Sequence, residues 1–136
     1  MNPPHPRDGA PPAPLMKLGH CLFVLVPGAL RDTAVRDLHD AVAARLAKED
    51  GIRGLIIDVS ALGLVDSYTA RVLEQTAHVA RSFGARAVLV GLQPEVATTL
   101  VELGIDLGSV ETALNLERAL ARLKLRIVSE DPDGRP

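Results

Sequence analysis

Short apolar runs alternate with segments of helical period, and that alternation constrains the fold more than anything else in this chain. Cys21-Leu22-Phe23-Val24-Leu25-Val26, Leu55-Ile56-Ile57-Asp58-Val59 and Arg86-Ala87-Val88-Leu89-Val90 are each five or six residues long and nearly unbroken in apolar character. Runs of that length, bounded by turn residues, read as strands buried on both faces. Between them lie longer stretches with apolar residues every three to four positions. Arg31 to Lys48 carries Val35, Leu38, Val42 and Leu46 on one stripe. The segment from Ser67 to about Phe83 places Thr69, Val72, Leu73, Thr76, Ala77, Ala80 and Phe83 on one face. Pro94 suits the first turn of a further helix, which Gly104 ends, with Val96, Leu100 and Leu103 inward. Leu15 to Leu18 forms a short first strand, turned by Gly19-His20 into the second, and Val110 to Thr112 a short last one. Asn115 or its neighbour caps a final helix with Leu116, Leu120 and Leu123 on one face. Strands and helices in this order predict an α/β fold: a mixed, mainly parallel sheet of four to five strands with about four helices, joined by right-handed crossovers.

The domain plan follows from the same reading. Residues 1–14 are proline-rich and predict a disordered tail; residues 15–125 form one domain; residues 126–136 form a flexible C-terminal tail. A chain of 136 residues suffices for one proper core. Aromatic residues are limited to Phe23, Tyr68 and Phe83, so that core is aliphatic and base-stacking platforms are not expected.

Charge and motif content exclude several function classes. The formal net charge is −2 with no cluster of Lys and Arg, which argues against nucleic acid and against a polybasic membrane patch. No apolar stretch approaches the roughly 18–20 residues of a membrane span, and the N-terminus has no hydrophobic signal core. The expectation is a cytoplasmic protein. Cys21, the single cysteine, lies in an apolar run and reads as a core thiol. The histidines His5, His20, His39 and His78 are far apart and have no metal-ligand spacing, so no metal is expected, and no cofactor. Neither a Gly-x-Gly-x-x-Gly nor a Walker-type loop is present. Ser67 lacks a Gly-x-Ser-x-Gly elbow and a marked base, which argues against a hydrolase. Asp58 ends a central strand, as the acceptor of an aspartyl-phosphate receiver would. The preceding strand, however, ends Val26-Pro27-Gly28 and supplies no acidic pair for a divalent ion. Asp58 is therefore read as a strand-end hydrogen-bonding residue, and the chain as a non-enzyme.

The sequence Asp66-Ser67-Tyr68 stands at the start of the second long helical segment, after the strand 55–59 and a bend at 60–65. A hydroxyl there faces unpaired backbone N–H groups and the positive end of the helix dipole, a favourable place for a phosphate. The same residues also suit plain capping. Physical chemistry leaves both readings open.

The stretch Gly54-Leu-Ile-Ile-Asp-Val-Ser-Ala-Leu-Gly-Leu-Val-Asp66-Ser67-Tyr68-Thr-Ala-Arg71-Val-Leu resembles the signature of STAS domains, the anti-sigma-factor antagonist family. Val90-Gly91-Leu-Gln-Pro94-Glu-Val-Ala-Thr-Thr-Leu-Val-Glu-Leu-Gly104 and Thr112-Ala113-Leu114-Asn115-Leu116-Glu117 are similar to its stressosome branch. The likeness runs from about Leu15 to Leu123. With no sensory domain ahead of it in this sequence, it points to the single-domain RsbS type rather than the longer RsbR type.

The resemblance implies a partner-switching regulator. Such proteins co-assemble with RsbR-type paralogues, as homodimers and larger hetero-assemblies, and sequester an RsbT-type switch serine kinase. Phosphorylation releases the kinase, and a PP2C-type phosphatase resets the scaffold. By motif position the phosphorylated serine is Ser67, with Asp58, Asp66 and Arg71 around it. Leu62, Leu64 and Val65 either form an apolar lip for the partner or pack beneath the loop. Gln93 and Pro94 either rim the same surface or only start a helix. Two rival classes stand beside this reading: a freely diffusing antagonist that binds an anti-sigma kinase, and a small-ligand or nucleotide-binding module.

Overall fold

A computed structural model describes residues 15–129. The expected leader, 1–14, lies outside the described residues, as does 130–136. Five strands and four helices follow one another as β1 (Leu15–Leu18), β2 (Cys21–Leu25), α1 (Asp32–Lys48), β3 (Gly54–Asp58), α2 (Ser67–Ser82), β4 (Arg86–Val90), α3 (Pro94–Glu102), β5 (Glu111–Ala113) and α4 (Leu116–Ser129). A single 3₁₀ turn, Leu107–Ser109, precedes β5. The last strand is displaced by one residue from its expected position. The last helix continues past the expected boundary at 125.

The sheet order is β1-β2-β3-β4-β5. Only the β1–β2 hairpin is antiparallel; β2 to β5 run parallel, with Leu22 beside Leu55, Leu55 beside Ala87 and Leu89 beside Thr112. Because parallel neighbours need crossovers, each connection from β2 onward contains a helix. The period of two then divides the apolar residues between two cores. Leu22, Val24, Leu55, Ile57, Ala87 and Leu89 pack with Val35, Leu38, Val42 and Leu46 of α1, Val72, Leu73 and Ala77 of α2, and Val96 and Leu100 of α3. The alternate residues Cys21, Ile56, Val88 and Val90 face the other way and pack with Ala119 and Leu123 of α4. Gly54 lets α4 lie close to the sheet, since a Cβ there would stand 2.8 Å from Leu123 Cδ1.

Two polar devices fix neighbouring elements to one another, one between helices and one between strands. Thr76, fully buried between α1 and α2, donates its hydroxyl proton to the Val72 carbonyl at 2.7 Å, and its oxygen lies 2.9 Å from His39 Nδ1. Arg86 forms a two-bond ion pair with Glu111, tying the edge strand β5 to β4. One expected core residue is not in the core. Phe83 falls one position past the end of α2, as its C-cap, and is 49% exposed. The backbone leaves the helical path at Phe83 and turns at Gly84, which has a φ of 85°, so the inward stripe stops at Ala80.

Candidate functional site

The C-terminal ends of β3, β4 and β5 lie at one end of the sheet, as parallel pairing requires, and the loops leaving them build a single surface. Asp58 closes β3. Its Oδ1 accepts the Ser60 backbone N–H at 2.9 Å and the Ser60 hydroxyl at 2.6 Å, a side-chain turn that directs the chain away from the sheet. The role expected for Asp58, a strand-end hydrogen-bonding residue, is the one it has. The loop that follows is held a second time from outside: Gln93 Nε2 donates to the Ser60 carbonyl at 2.9 Å.

Beyond Ser60 the loop divides. Leu62 is only 2% exposed and belongs to the main core, so it is not part of a partner-facing lip. Its side chain turns inward against residues of α2 and β4, where burial of apolar area outweighs any surface role. Leu64 is 100% exposed, and Val65 is half-buried against the core. Of the three, Leu64 is the one presented in full to solvent.

Asp66 is the N-cap of α2. Its backbone is extended, and its Oδ1 accepts the Thr69 N–H at 2.7 Å. That N–H, together with the Thr69 hydroxyl, holds the Asp66 carboxyl below its ordinary range. With Asp66 occupied as the cap, Ser67 is the first helical residue and is exposed. Thr69 N–H and Ala70 N–H are taken by the Asp66 side chain and carbonyl. The N–H groups of Ser67 and Tyr68 are the remaining donors of this first turn. Arg71, one turn further on, is also exposed. Gln93 and Pro94 are exposed at the start of α3, with Pro94 at its first position. Gln93 thus reaches the same loop as Asp58, while Pro94 starts the neighbouring helix.

The structure adds what the sequence did not suggest. A cleft of about 1300 Å³ opens between the β4–α3 loop, β5 and α4. Arg118 and Arg122 of α4 line it, and Leu114 at its edge is 73% exposed. The spacing of the two arginines, four residues apart on one helical face, was visible, but what they face was not. Among the described residues no cluster of His, Cys, Asp and Glu could hold a metal ion, and no helix is long and apolar enough to cross a membrane.

The STAS domain family model matches residues 14–119, which is most of the chain. The chain belongs to the STAS family. Within it, RsbS from Moorella thermoacetica, solved with a serine-to-glutamate substitution, is 36% identical, superposes with a TM-score of 0.78, and is matched over 85% of this chain and 97% of that one. A chain in the molecular architecture of the stressosome, described as a signal integration and transduction hub, is 37% identical with a TM-score of 0.75, over 84% of this chain and 98% of that one. The RsbT co-antagonist protein RsbRA of Bacillus subtilis is 36% identical over 66 residues, which is 48% of this chain and 24% of RsbRA. The chain therefore spans about a quarter of that relative. This is a STAS protein similar to the RsbS and RsbR proteins of the stressosome, with the four helices and five-stranded mixed sheet of that fold.

Proposed function

We propose that the chain is a stressosome scaffold of the RsbS type that holds an RsbT-type switch serine kinase and releases it when Ser67 is phosphorylated. The observation that carries this reading is the division of labour at the start of α2. Asp66 provides the cap, so the Ser67 hydroxyl is not needed for the fold and stands exposed at the positive end of a 16-residue helix. A phosphate there would gain from the dipole and from the Ser67 and Tyr68 N–H groups, and Arg71 is spaced to approach it. Asp66, kept ionised beside it, opposes the added charge.

The switch works through the partner surface rather than by unfolding. A phosphoserine carries about −1.5 to −2 charges. Placed between Leu64 and Tyr68 in a docked interface, it would be desolvated without full compensation, which costs several kcal/mol. A loss of about 1.4 kcal/mol already weakens binding tenfold. Co-assembly with an RsbR-type paralogue, self-association as a dimer, a cytoplasmic location and resetting by a PP2C-type phosphatase complete the reading. It is supported by the likeness to RsbS, to a stressosome chain and to an RsbT co-antagonist.

The test is a binding experiment with purified full-length chain and an RsbT-type kinase from the same genome, with and without ATP. The kinase should co-elute with the unmodified chain and separate after ATP is added. Ser67→Ala should keep the kinase bound in the presence of ATP. A kinase that binds the Ser67-phosphorylated chain as tightly as the unmodified one would contradict the proposal.

A further inference from the structure

The cleft beside the Ser67 surface has a chemistry of its own. It is walled by the start of α3 at Gln93 and Pro94, by the edge strand at Thr112, by Leu114, and by Arg118 and Arg122 of α4. Among the described residues three charged side chains line it: Glu111, Arg118 and Arg122. The single acid among them is engaged by Arg86 through two hydrogen bonds, so its charge is largely cancelled from behind. Arg122 Nη1 lies 3.9 Å from Glu111 and donates to the Thr112 carbonyl at 2.8 Å. Arg118 is exposed on α4, and its backbone N–H is bonded to the Asn115 side chain. Arg118 and Arg122 thus outnumber the one acid in the described lining, and that acid is itself paired with Arg86, which leaves the described lining net positive in a chain whose net charge is −2. Glu95 and Glu117 adjoin the lining in sequence but do not line it.

The walls also limit what fits. β5 is the sheet edge, and an edge strand ordinarily invites a further strand. Here Arg122 occupies the Thr112 carbonyl, so the edge is capped where an added strand would need it. What the cleft offers is charge and an apolar rim at Leu114, not a free backbone ladder. The complement of such a slot is an acidic segment with an apolar residue beside it.

Resting on the Ser67 reading, we infer that this cleft is the second half of the kinase-docking surface and seats an acidic segment of the kinase against Arg118 and Arg122. The position supports this. The cleft and the Ser67 loop are joined by the Gln93 contact to Ser60, so one partner can span both. A phosphate on Ser67 would then weaken docking at one half while the acidic segment still engages the other. Release would be graded, and sensitive to salt, since exposed charge pairs are screened within about 8–10 Å at physiological ionic strength.

The test measures the affinity of the full-length chain for the purified RsbT-type kinase at low and high salt. Variants are Arg118→Glu, Arg118→Lys and, as a control for net charge, Arg36→Glu on the exposed side of α1. Arg118→Glu should weaken binding roughly tenfold at low salt and flatten the salt dependence, because charge reversal at an interface acts chiefly through steering and register. Arg118→Lys should bind like the wild type, and so should Arg36→Glu. A hexaglutamate peptide should compete with the kinase for the wild type but not for Arg118→Glu. If the kinase binds the wild type and Arg118→Glu equally, with the same salt dependence, the inference is overturned while the Ser67 reading stands. An Arg118→Glu chain that loses an RsbR-type paralogue but keeps the kinase overturns it too. If the wild type does not bind the kinase at all, the Ser67 reading fails first and takes this inference with it.

Discussion

The Gln93 side-chain amide lies 2.9 Å from the Ser60 carbonyl and so ties the loop after β4 to the loop after β3. The loops are 33 residues apart in the chain, and they are also joined by the Val59 N–H to the Val90 carbonyl at 2.9 Å and by the close approach of Gly91 to Ser60. The Gln93 bond is exposed, so its net contribution to stability is small, about 0.5–1.5 kcal/mol. Its effect on position is larger than its effect on stability. Gln93→Ala should leave the melting temperature within a few degrees of wild type and raise amide exchange in residues 60–65. Unchanged exchange in that segment would show that the Asp58 turn and the Gly91 contact fix the loop without Gln93.

Gly91 is the stronger constraint on the same pair of loops. Its φ is 75°, and a Cβ there would stand 2.6 Å from Ser60 Cβ and 3.1 Å from Ser60 Cα. Strain and collision act together. Gly91→Ala should destabilise the chain by about 1–3 kcal/mol, read by urea unfolding. Gly63→Ala, with no atom within 4 Å of the added Cβ, should be nearly silent.

Leu62 and Leu64, two residues apart, should separate stability from recognition. Leu62→Ala removes a buried side chain and should cost about 2–5 kcal/mol of unfolding free energy. Leu64→Ala should change stability by less than about 0.5 kcal/mol, since that side chain is fully exposed, yet weaken kinase capture. Equal stability losses in the two variants would contradict the assignment of one to the core and the other to the surface.

Asp66 gives a pH dependence with a defined sign. Its carboxyl is held below the ordinary aspartate range in the folded state. Its stabilising contribution is therefore present above the unfolded value, about 3.9, and lost as pH falls through the lower folded value. The difference in melting temperature between wild type and Asp66→Ala should be full at pH 6–7 and shrink below about pH 4. A constant difference down to pH 2 would mean that the cap does not depend on the charge.

Much of this architecture was legible because it is local. Asp66-Ser67 ahead of a helical period is a signal contained in four or five residues, and the strands at 54–58 and 86–90 announce themselves by unbroken apolar runs. The sequence could not say which of Leu62, Leu64 and Val65 turns inward, because a bend has no period to read. Phe83 was misplaced because a helical stripe extrapolates past the residue where the helix ends. The cleft was out of reach for a different reason: its walls come from segments around 93, 112 and 120, and only the tertiary fold brings them together.

The most direct test of the central claim is phosphopeptide mapping after incubation of the full chain with the RsbT-type kinase and ATP. Ser67 should carry the phosphate. Ser67→Ala should fold with a stability within about 0.5 kcal/mol of wild type, because Asp66 retains the cap, and should accept none. Undiminished incorporation into Ser67→Ala, mapped to Ser60, Thr69 or another hydroxyl, would contradict the account.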